Sequence, residues 1–462
     1  MATDGWRMIP WLSYGLMAAS LAAAVLLSGG VVASQWKWSA LGISLAAALA
    51  VFGIPRVEQS RSGRTGGERG LVLLALLLGW MLFQLLPLPP GLVQWLSPAR
   101  WSAVAAARAA SGYDLHRWAA LSVAPPLTFE RLLFVIPAMA AFVTAREMSW
   151  WWREQAWIAV APVIGIAWLE SILGLVQFYF ARTDKGRGSM ASGTYVNHNH
   201  FAGLMEIGFP VAVMWMVARL RKSKTDRTMT SAFGTAVLFA IATCLLMAVV
   251  VSLSRMAFIS TLMAMGVITL TWLGSWVARN ANSPGLLRWG IWIVAVVIPL
   301  LILVFLTPRE LVRRFADISA TEDVTVEGRT EIWRETMQAV SAYKWTGCGL
   351  GAYERGLYQF KNLAPLNRID FAHNDYLQIL TELGIPGALL AGAFAVWFVS
   401  RIVSVVLWRG SSNSWELTVG VLGAAAALGA HSLADFNFYI PANAMAFAWL
   451  CGAGERTGLK RR

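Results

Sequence analysis

The sequence predicts an all-α polytopic membrane protein of about twelve transmembrane helices, and three observations carry that prediction. Hydrophobic residues fill 57% of the 462 positions and charged residues only 14%, against roughly 25% charged in soluble domains. Mean hydropathy is +0.57, which excludes a soluble globular enzyme and also a disordered chain, whose hydrophobicity is low. The apolar residues fall in runs of about 20, the length a helix needs to cross a hydrocarbon core. Strands of a membrane barrel are alternating segments of only ~10 residues, so helices are the means by which this backbone satisfies itself in lipid.

In chain order the spans are expected near 11–32, 38–54, 70–87, 129–145, 156–180, 199–218, 231–252, 256–278, 289–306, 385–407, 417–432 and 439–453. The first run is too long for a signal-peptide core and has no clear small-residue cleavage site before the second, so it is read as retained. Lys and Arg in short loops set orientation. Loop 55–69 carries Arg56, Arg61, Arg64 and Arg69; loop 219–230 carries Arg219, Arg221, Lys222, Lys224 and Arg227; the tail ends Lys460, Arg461, Arg462. Twelve spans put all three, and both termini, on the cytoplasmic side. The inside segments 1–10, 55–69, 145–155, 219–230, 279–288, 400–416 and 453–462 hold 20 basic and 8 acidic residues, which is +12 of the chain's +13. A basic balance is the first sign of nucleic-acid binding, but here it is a topology signal, and no nucleic-acid partner is expected. Cys244, Cys348 and Cys451 lie far apart, without a CxxC pair, and suggest neither a zinc site nor a disulfide framework.

Two outside segments are long. Residues 88–128 are amphipathic, with Trp95, Trp101 and Trp118 among Arg100, Arg108 and Arg117; tryptophans favour the headgroup level, so this segment is expected in the membrane interface. Residues 307–384 hold 9 basic and 11 acidic residues. They are expected to carry a helix over 329–343, capped by Thr330, with Ile332, Trp333, Thr336, Met337 and Val340 as its apolar stripe. A loop this long is usually functional.

Polar residues gather where the spans end on the outer side. All five histidines (His116, His198, His200, His373, His431) fall there. The first cluster runs from Gly193 through Asn197, His198, Asn199 and His200 to Gly203. Asn and His at a helix start can cap free amides, or, with the helix N-terminus, bind an anion or sugar hydroxyls. His198 and His200 could ligate a metal, but no nearby carboxylate completes a set, and neither metal nor cofactor is expected. The second cluster is Ser252, Ser254 and Arg255, in a very short turn. Charge at a bilayer edge is expensive unless paired or wetted; Arg255 either snorkels to the headgroups or offers its planar fork to phosphate oxygens.

The third cluster comprises Glu327, Arg329, Thr330, Ile332 and Trp333, followed by Gly347-Cys348-Gly349-Leu350-Gly351. That glycine run lacks the strand and spacing of a nucleotide fold and is compatible with a flexible turn. No Walker motif occurs, which argues against an ATP-driven pump. The fourth is Phe371-Ala372-His373-Asn374-Asp375-Tyr376-Leu377-Gln378, ahead of Glu382 and Gly384. His373 is the best general-base candidate, since imidazole titrates near neutrality; the same residues could merely cap a helix. The fifth is His431, Asp435, Asn437, Pro441 and Asn443, which could equally be a polar turn before a helix beginning with proline. Glu170 and Glu206 fall inside spans, where carboxylates are functional candidates or protonated packing residues.

In this order the clusters resemble the O-antigen ligase and polymerase superfamily of bacterial membrane glycosyltransferases, over roughly residues 160–450. Four segments carry the resemblance: residues 197–203, Ser254-Arg255, Arg329 to Trp333 with 347–351, and His373 to Gln378 before Glu382 and Gly384. The resemblance implies a GT-C-like fold in the bacterial inner membrane. N-terminal transmembrane helices would occupy 1–155, and a ligase-like membrane domain 156–462 with the periplasmic loop 307–384. It implies transfer of a glycan from an undecaprenyl-pyrophosphate carrier to an acceptor at the periplasmic face. That acceptor is the lipid A core of lipopolysaccharide for a ligase, or another carrier-linked repeat for a polymerase of O-antigen or exopolysaccharide. By position, Arg255 and Arg329 match arginines that hold the pyrophosphate, and His373 matches the histidine that activates the acceptor hydroxyl. Asn197, His198, Asn199, His200, Asn374, Asp375, His431 and Asp435 are expected to bind substrate. The reaction is expected to be metal-independent and inverting. His198 and His200 depart from the family, which often has Pro and Asn there. A transporter of lipid-linked sugars is the competing class; it would place its ionisable residues near the bilayer midplane. Protein glycosyltransferases share the same motifs.

Overall fold

A computed structural model describes residues 5–53, 61–185, 190–226, 228–279, 311, 326–361, 369–408 and 413–457. Among them the chain is helical throughout, and its one β-type contact is an isolated bridge between Leu88 and Ala119. The helices are α1 (Gly5–Leu26), α2 (Ala33–Gly53), α3 (Arg61–Phe83), α4 (Pro90–Leu96), α5 (Pro98–Ser111), α6 (Pro125–Trp151), α7 (Ala161–Lys185), α8 (His198–Asp226), α9 (Met229–Val251), α10 (Arg255–Arg279), α11 (Val326–Ala342), α12 (Tyr353–Leu357), α13 (Asp375–Trp408), α14 (Asn413–His431) and α15 (Pro441–Thr457).

Among the described residues, seven helices are long and apolar enough to cross a membrane: Met8–Leu26, Pro125–Ser149, Gln155–Phe180, His198–Lys222, Met229–Val251, Arg255–Ser275 and Asp375–Leu407. The expected count of about twelve is met in part. Helices α2, α3, α14 and α15 occupy four further expected positions. Polar starts or short length set them apart: α3 opens on an Arg- and Gly-rich turn, α14 on Asn-Ser-Trp-Glu, and α15 has 17 residues. The expected span at 289–306 lies outside the described residues.

Helix α8 is the axis of the bundle. Its span is 78% buried, whereas the other six are 22–44% buried. It packs against α7, α9, α10, α14 and α15, and Phe201, Leu204, Met205 and Ile207 are fully enclosed. The remaining spans keep apolar faces such as Leu169, Phe239 and Val396 exposed, as expected of a surface solvated by lipid.

Helix α13 is broken at Gly384 (φ 66°, ψ −176°). The loop 343–351 docks on the break: Cys348 N donates to Thr381 O (2.9 Å), Gly349 N to Glu382 O (3.0 Å) and Ile385 N to Lys344 O (2.7 Å). Gly347, Gly349 and Gly351 all have positive φ, and a Cβ on Gly347 would collide with the Glu382 carbonyl. The glycine run is therefore a fitted clamp, not a flexible turn. The same break explains why the apolar run reads as starting at 385.

Helix α11 starts earlier than expected, at Val326, so Thr330 lies within the helix instead of capping it. Its buried side is Ile332, Glu335, Thr336, Ala339 and Val340, and Met337 is exposed. In the amphipathic segment Trp95 and Trp118 are exposed while Trp101 packs against the small core of Val93, Val104 and Leu121. Arg108 closes the following loop through Leu115 O (3.2 Å), Arg117 O (2.6 Å) and Trp118 O (3.1 Å).

Candidate functional site

Four helix ends meet at one end of the bundle: the N-termini of α8, α13 and α15 and the C-terminus of α14. Asn197 Oδ1 accepts from Asn199 N (2.8 Å) and starts α8 as an N-cap, with Asn199 half-buried on the first turn. His198 and His200 follow, both buried. Gly203 lets α8 approach the α14–α15 turn, because a Cβ there would meet the side chains of Asn437 and Asn443. Asn443 Nδ2 ties the two by donating to His200 O (2.8 Å) and Asn437 Oδ1 (2.8 Å).

Asp435, in the turn between α14 and α15, is the focus. His200 Nε2 lies 3.6 Å from its Oδ1, His373 Nδ1 4.0 Å from the same oxygen, and His431 Nε2 3.7 Å from Oδ2. Burial works against ionisation of Asp435, but the imidazoles of His200 and His431 outweigh it and hold the carboxyl well below its ordinary range. These separations exceed a good hydrogen bond. His431 Nδ1 in turn meets Glu206 Oε1 at 2.8 Å, and Glu206 Oε2 accepts from Ser260 Oγ on α10. Glu206 thus belongs to the cluster. Glu170 does not: it receives Thr194 N (2.5 Å) and Thr194 Oγ1 (3.1 Å) and fastens the 193–195 turn.

His373 has a positive φ of 50°, uncommon for a residue with a side chain. The flanking contacts hold it there. Asn374 caps α13 through Tyr376 N (3.0 Å) and Leu377 N (3.1 Å) and donates to Leu433 O (3.0 Å). Asp375 Oδ2 accepts from Ser432 Oγ (2.7 Å) and Phe438 N (3.3 Å). Asn374 and Asp375 thus join the ends of α13 and α14, and the imidazole, 22% exposed, is the accessible member of the triad of histidines. Trp333 Nε1 donates to Ala372 O (2.9 Å), which brings α11 to the residue before His373. Arg329 is one turn earlier on α11, and its buried Nε has no hydrogen-bond partner. Arg255 is half-buried at the start of α10, five residues or about 7.5 Å along the helix from Ser260. Ser254 Oγ caps that helix through Ala257 N (3.3 Å), after Leu253 at φ 57°.

His116 stands apart, exposed in the α5–α6 loop beside Asp114 (3.0 Å). Among the described residues, no group of three His, Cys, Asp or Glu side chains is arranged to hold a metal ion.

Several further residues support the cluster without having been expected as site residues. The Phe436 ring contacts those of Phe371 (4.2 Å, stacked), His200 (4.7 Å) and His373 (5.0 Å), so it spaces the imidazoles. Glu382 is locked by Gln378 Nε2 (2.8 Å) and Tyr439 OH (2.7 Å). Buried Gln84 on the α3 side braces the clamp: its Nε2 donates to Thr346 O (2.7 Å) and Glu382 O (2.8 Å), and its Oε1 accepts from Leu350 N (3.1 Å). A lone Gln in an apolar stretch is the only hint the sequence offers for it.

Residues 239–392, from within α9 to midway along α13, match the family model described as O-Antigen ligase. The match supports assigning the chain to the O-antigen ligase/polymerase family. It contains Arg255, Arg329 and His373; His200, His431 and Asp435 come to the same place from outside it. No curated protein matches the chain.

Proposed function

We propose that this chain is a membrane glycosyltransferase that moves a glycan from an undecaprenyl-pyrophosphate carrier to an acceptor hydroxyl at the periplasmic face, with the lipid A core as acceptor. The observation that carries the proposal is the convergence of His200, His373 and His431 on Asp435; the helices that carry Arg255 and Arg329 touch the same cluster through Ser260 to Glu206 and Trp333 to Ala372.

In this reading His373 Nε2 takes the proton of the acceptor hydroxyl as the oxygen attacks the anomeric carbon. Asp435, 4.0 Å from Nδ1, orients the ring and stabilises the imidazolium that forms. The bond to the carrier breaks on the opposite side, which inverts the anomeric centre. Arg255 and Arg329 balance the charge growing on the departing pyrophosphate; preorganised electrostatics of this kind is often the largest catalytic contribution. The leaving group is already activated, so the step requires neither ATP nor a metal. Asn199 and His198 serve the glycan from the first turn of α8. A twelve-span, GT-C-like frame with cytoplasmic termini in the bacterial inner membrane fits the loop charges, with 1–155 as a supporting unit and 156–462 as the catalytic one. The placement of the cluster at helix ends favours an enzyme over a transporter with a midplane site.

The test is transfer in proteoliposomes supplied with carrier-linked glycan and either lipid A core or a second carrier-linked repeat. His373→Ala and Arg255→Ala are expected to lose at least roughly a hundredfold in rate while inserting normally. Full activity in both variants would refute the mechanism. Product formed only from two carrier-linked repeats would make the protein a polymerase.

A further inference from the structure

Arg131 lies outside every cluster prominent in the sequence and outside the matched residues 239–392. It sits in the second turn of α6, against the glycine clamp: a Cβ on Gly351 would come within 2.8 Å of the Arg131 Cβ. Its guanidinium carbon is 5.1 Å from the ring centroid of Tyr439, 5.6 Å from Phe134 and 6.0 Å from Phe371. Three rings therefore hold one cation by its faces, a contact that fixes position while using none of its five N–H donors.

Among the described residues no carboxylate lies within ion-pair distance of Arg131, and none of its donors has a hydrogen-bond acceptor. The neighbouring carboxylate Glu130 is turned to Lys37 (3.4 Å), and both Glu382 oxygens are occupied by Gln378 and Tyr439. Arg146 and Arg401, by contrast, pair with Glu455, and Arg221 pairs with Glu416. A half-buried guanidinium without an acceptor is costly, unless an acceptor arrives with a ligand. The aromatic shelf also links Arg131 to the histidines, since Phe371 stacks on Phe436, whose ring meets His373 and His200.

We propose that Arg131 is a third anion-binding arginine of this site, which takes a phosphate oxyanion of a lipid-linked substrate into its guanidinium fork. This rests on the glycosyl-transfer reading above. The oxyanion comes either from the pyrophosphate of the donor or from a phosphate on the acceptor. The competing role is structural: Arg131 as a distant counter-charge to Glu382 through Tyr439.

The experiment uses the full chain in detergent and in proteoliposomes, with Arg131→Met, which keeps the stem against the rings, and Arg131→Lys. Binding of undecaprenyl pyrophosphate is compared with that of undecaprenol, and KM is measured separately for donor and for acceptor with and without its phosphates. If the donor supplies the oxyanion, Arg131→Met weakens undecaprenyl pyrophosphate binding and raises donor KM roughly ten- to a hundredfold, leaves undecaprenol unaffected, and Arg131→Lys recovers part of the loss. If the acceptor supplies it, the same rise appears in the KM of the phosphorylated acceptor alone. Wild-type binding and wild-type KM values with only a lowered melting temperature would overturn the proposal. Should the Met variant fail to insert, Arg131→Lys decides: a several-fold KM rise supports the site and an unchanged KM overturns it. A wild-type protein that neither binds undecaprenyl pyrophosphate nor transfers glycan would instead defeat the glycosyl-transfer reading, and this inference with it.

Discussion

Helices α13 and α15 carry a buried carboxylate cluster at each end, and the two ends are built differently. At the C-terminal ends Glu455 is fully buried and receives Arg146 Nε at 2.7 Å and Arg401 Nε at 3.1 Å. At the N-terminal ends Asp435 is equally enclosed, yet its three imidazole neighbours stand at 3.6–4.0 Å. Both nitrogens of His200, Nε2 of His431, Nδ2 of Asn437 and Oδ1 of Asp375 lack a hydrogen-bond partner there. Buried polar atoms in folded proteins are nearly always satisfied. The first cluster is complete as it stands and ties α6, α13 and α15 together. The second holds its members by looser contacts, which fits the role proposed for it above.

The largest effects come from cutting each cluster at its centre. Glu455→Ala leaves half-buried Arg401 without its carboxylate and buried Arg146 with Glu147 alone, and removing one partner of a buried pair costs about 3–5 kcal/mol; the melting temperature in detergent is expected to fall sharply, while the turnover of the protein that stays folded is unchanged. Asp435→Ala is expected to do the reverse, with turnover down roughly a hundredfold or more and a smaller loss of stability. Equal effects of both variants on stability and turnover would erase the distinction between the two ends.

Acid sharpens the contrast further. Asp435 is held well below its ordinary range, so its contribution to stability is present above the unfolded carboxyl value of about 4 and is lost only as pH falls through the lower folded value. Between pH 5 and 8 Asp435 should contribute no pH dependence to stability. Below about pH 4 melting temperatures should fall in the wild type, and Asp435→Asn should fall less steeply. An equally steep acid limb in that variant would mean that Asp435 is not the group responsible.

The fold was legible wherever composition decides it. Every described span lies on an apolar run, and the loop charges bracket those runs. The site was legible in part, as separate pieces: His373, His431, Asp435 and the α8 start each drew attention locally. What could not be read was which pieces meet. Asp435 and His200 are brought together by α8 being the axis and by Gly203 allowing the close approach, and neither is a local property. Arg131, Gln84 and Phe436 were overlooked for another reason. A single arginine near a span end looks like snorkelling, a single glutamine like a tolerated polar residue and a phenylalanine like packing; only their neighbours give them a role. Met337 and Thr330 show the converse, where a plausible stripe and cap dissolve once the helix starts three residues earlier than expected.

Phe436 provides the smallest and most selective test of the comparison. Its ring does no proton chemistry, yet it touches His200, His373 and Phe371 at 4.7, 5.0 and 4.2 Å. Aromatic pairs contribute about 0.5–1.5 kcal/mol beyond area burial, so Phe436→Leu should cost about 1 kcal/mol of stability. Trp415, under Arg221 at 5.6 Å near the opposite end of α14, provides a matched control of the same physical kind, and Trp415→Leu should lower stability at least as much. If the loosely spaced cluster works by ring placement, only Phe436→Leu also lowers turnover, by roughly two- to tenfold, while Trp415→Leu leaves it unchanged. Equal turnover in the two variants would mean that the imidazoles are positioned by Asp435 and the backbone alone, and that the aromatic shelf is packing.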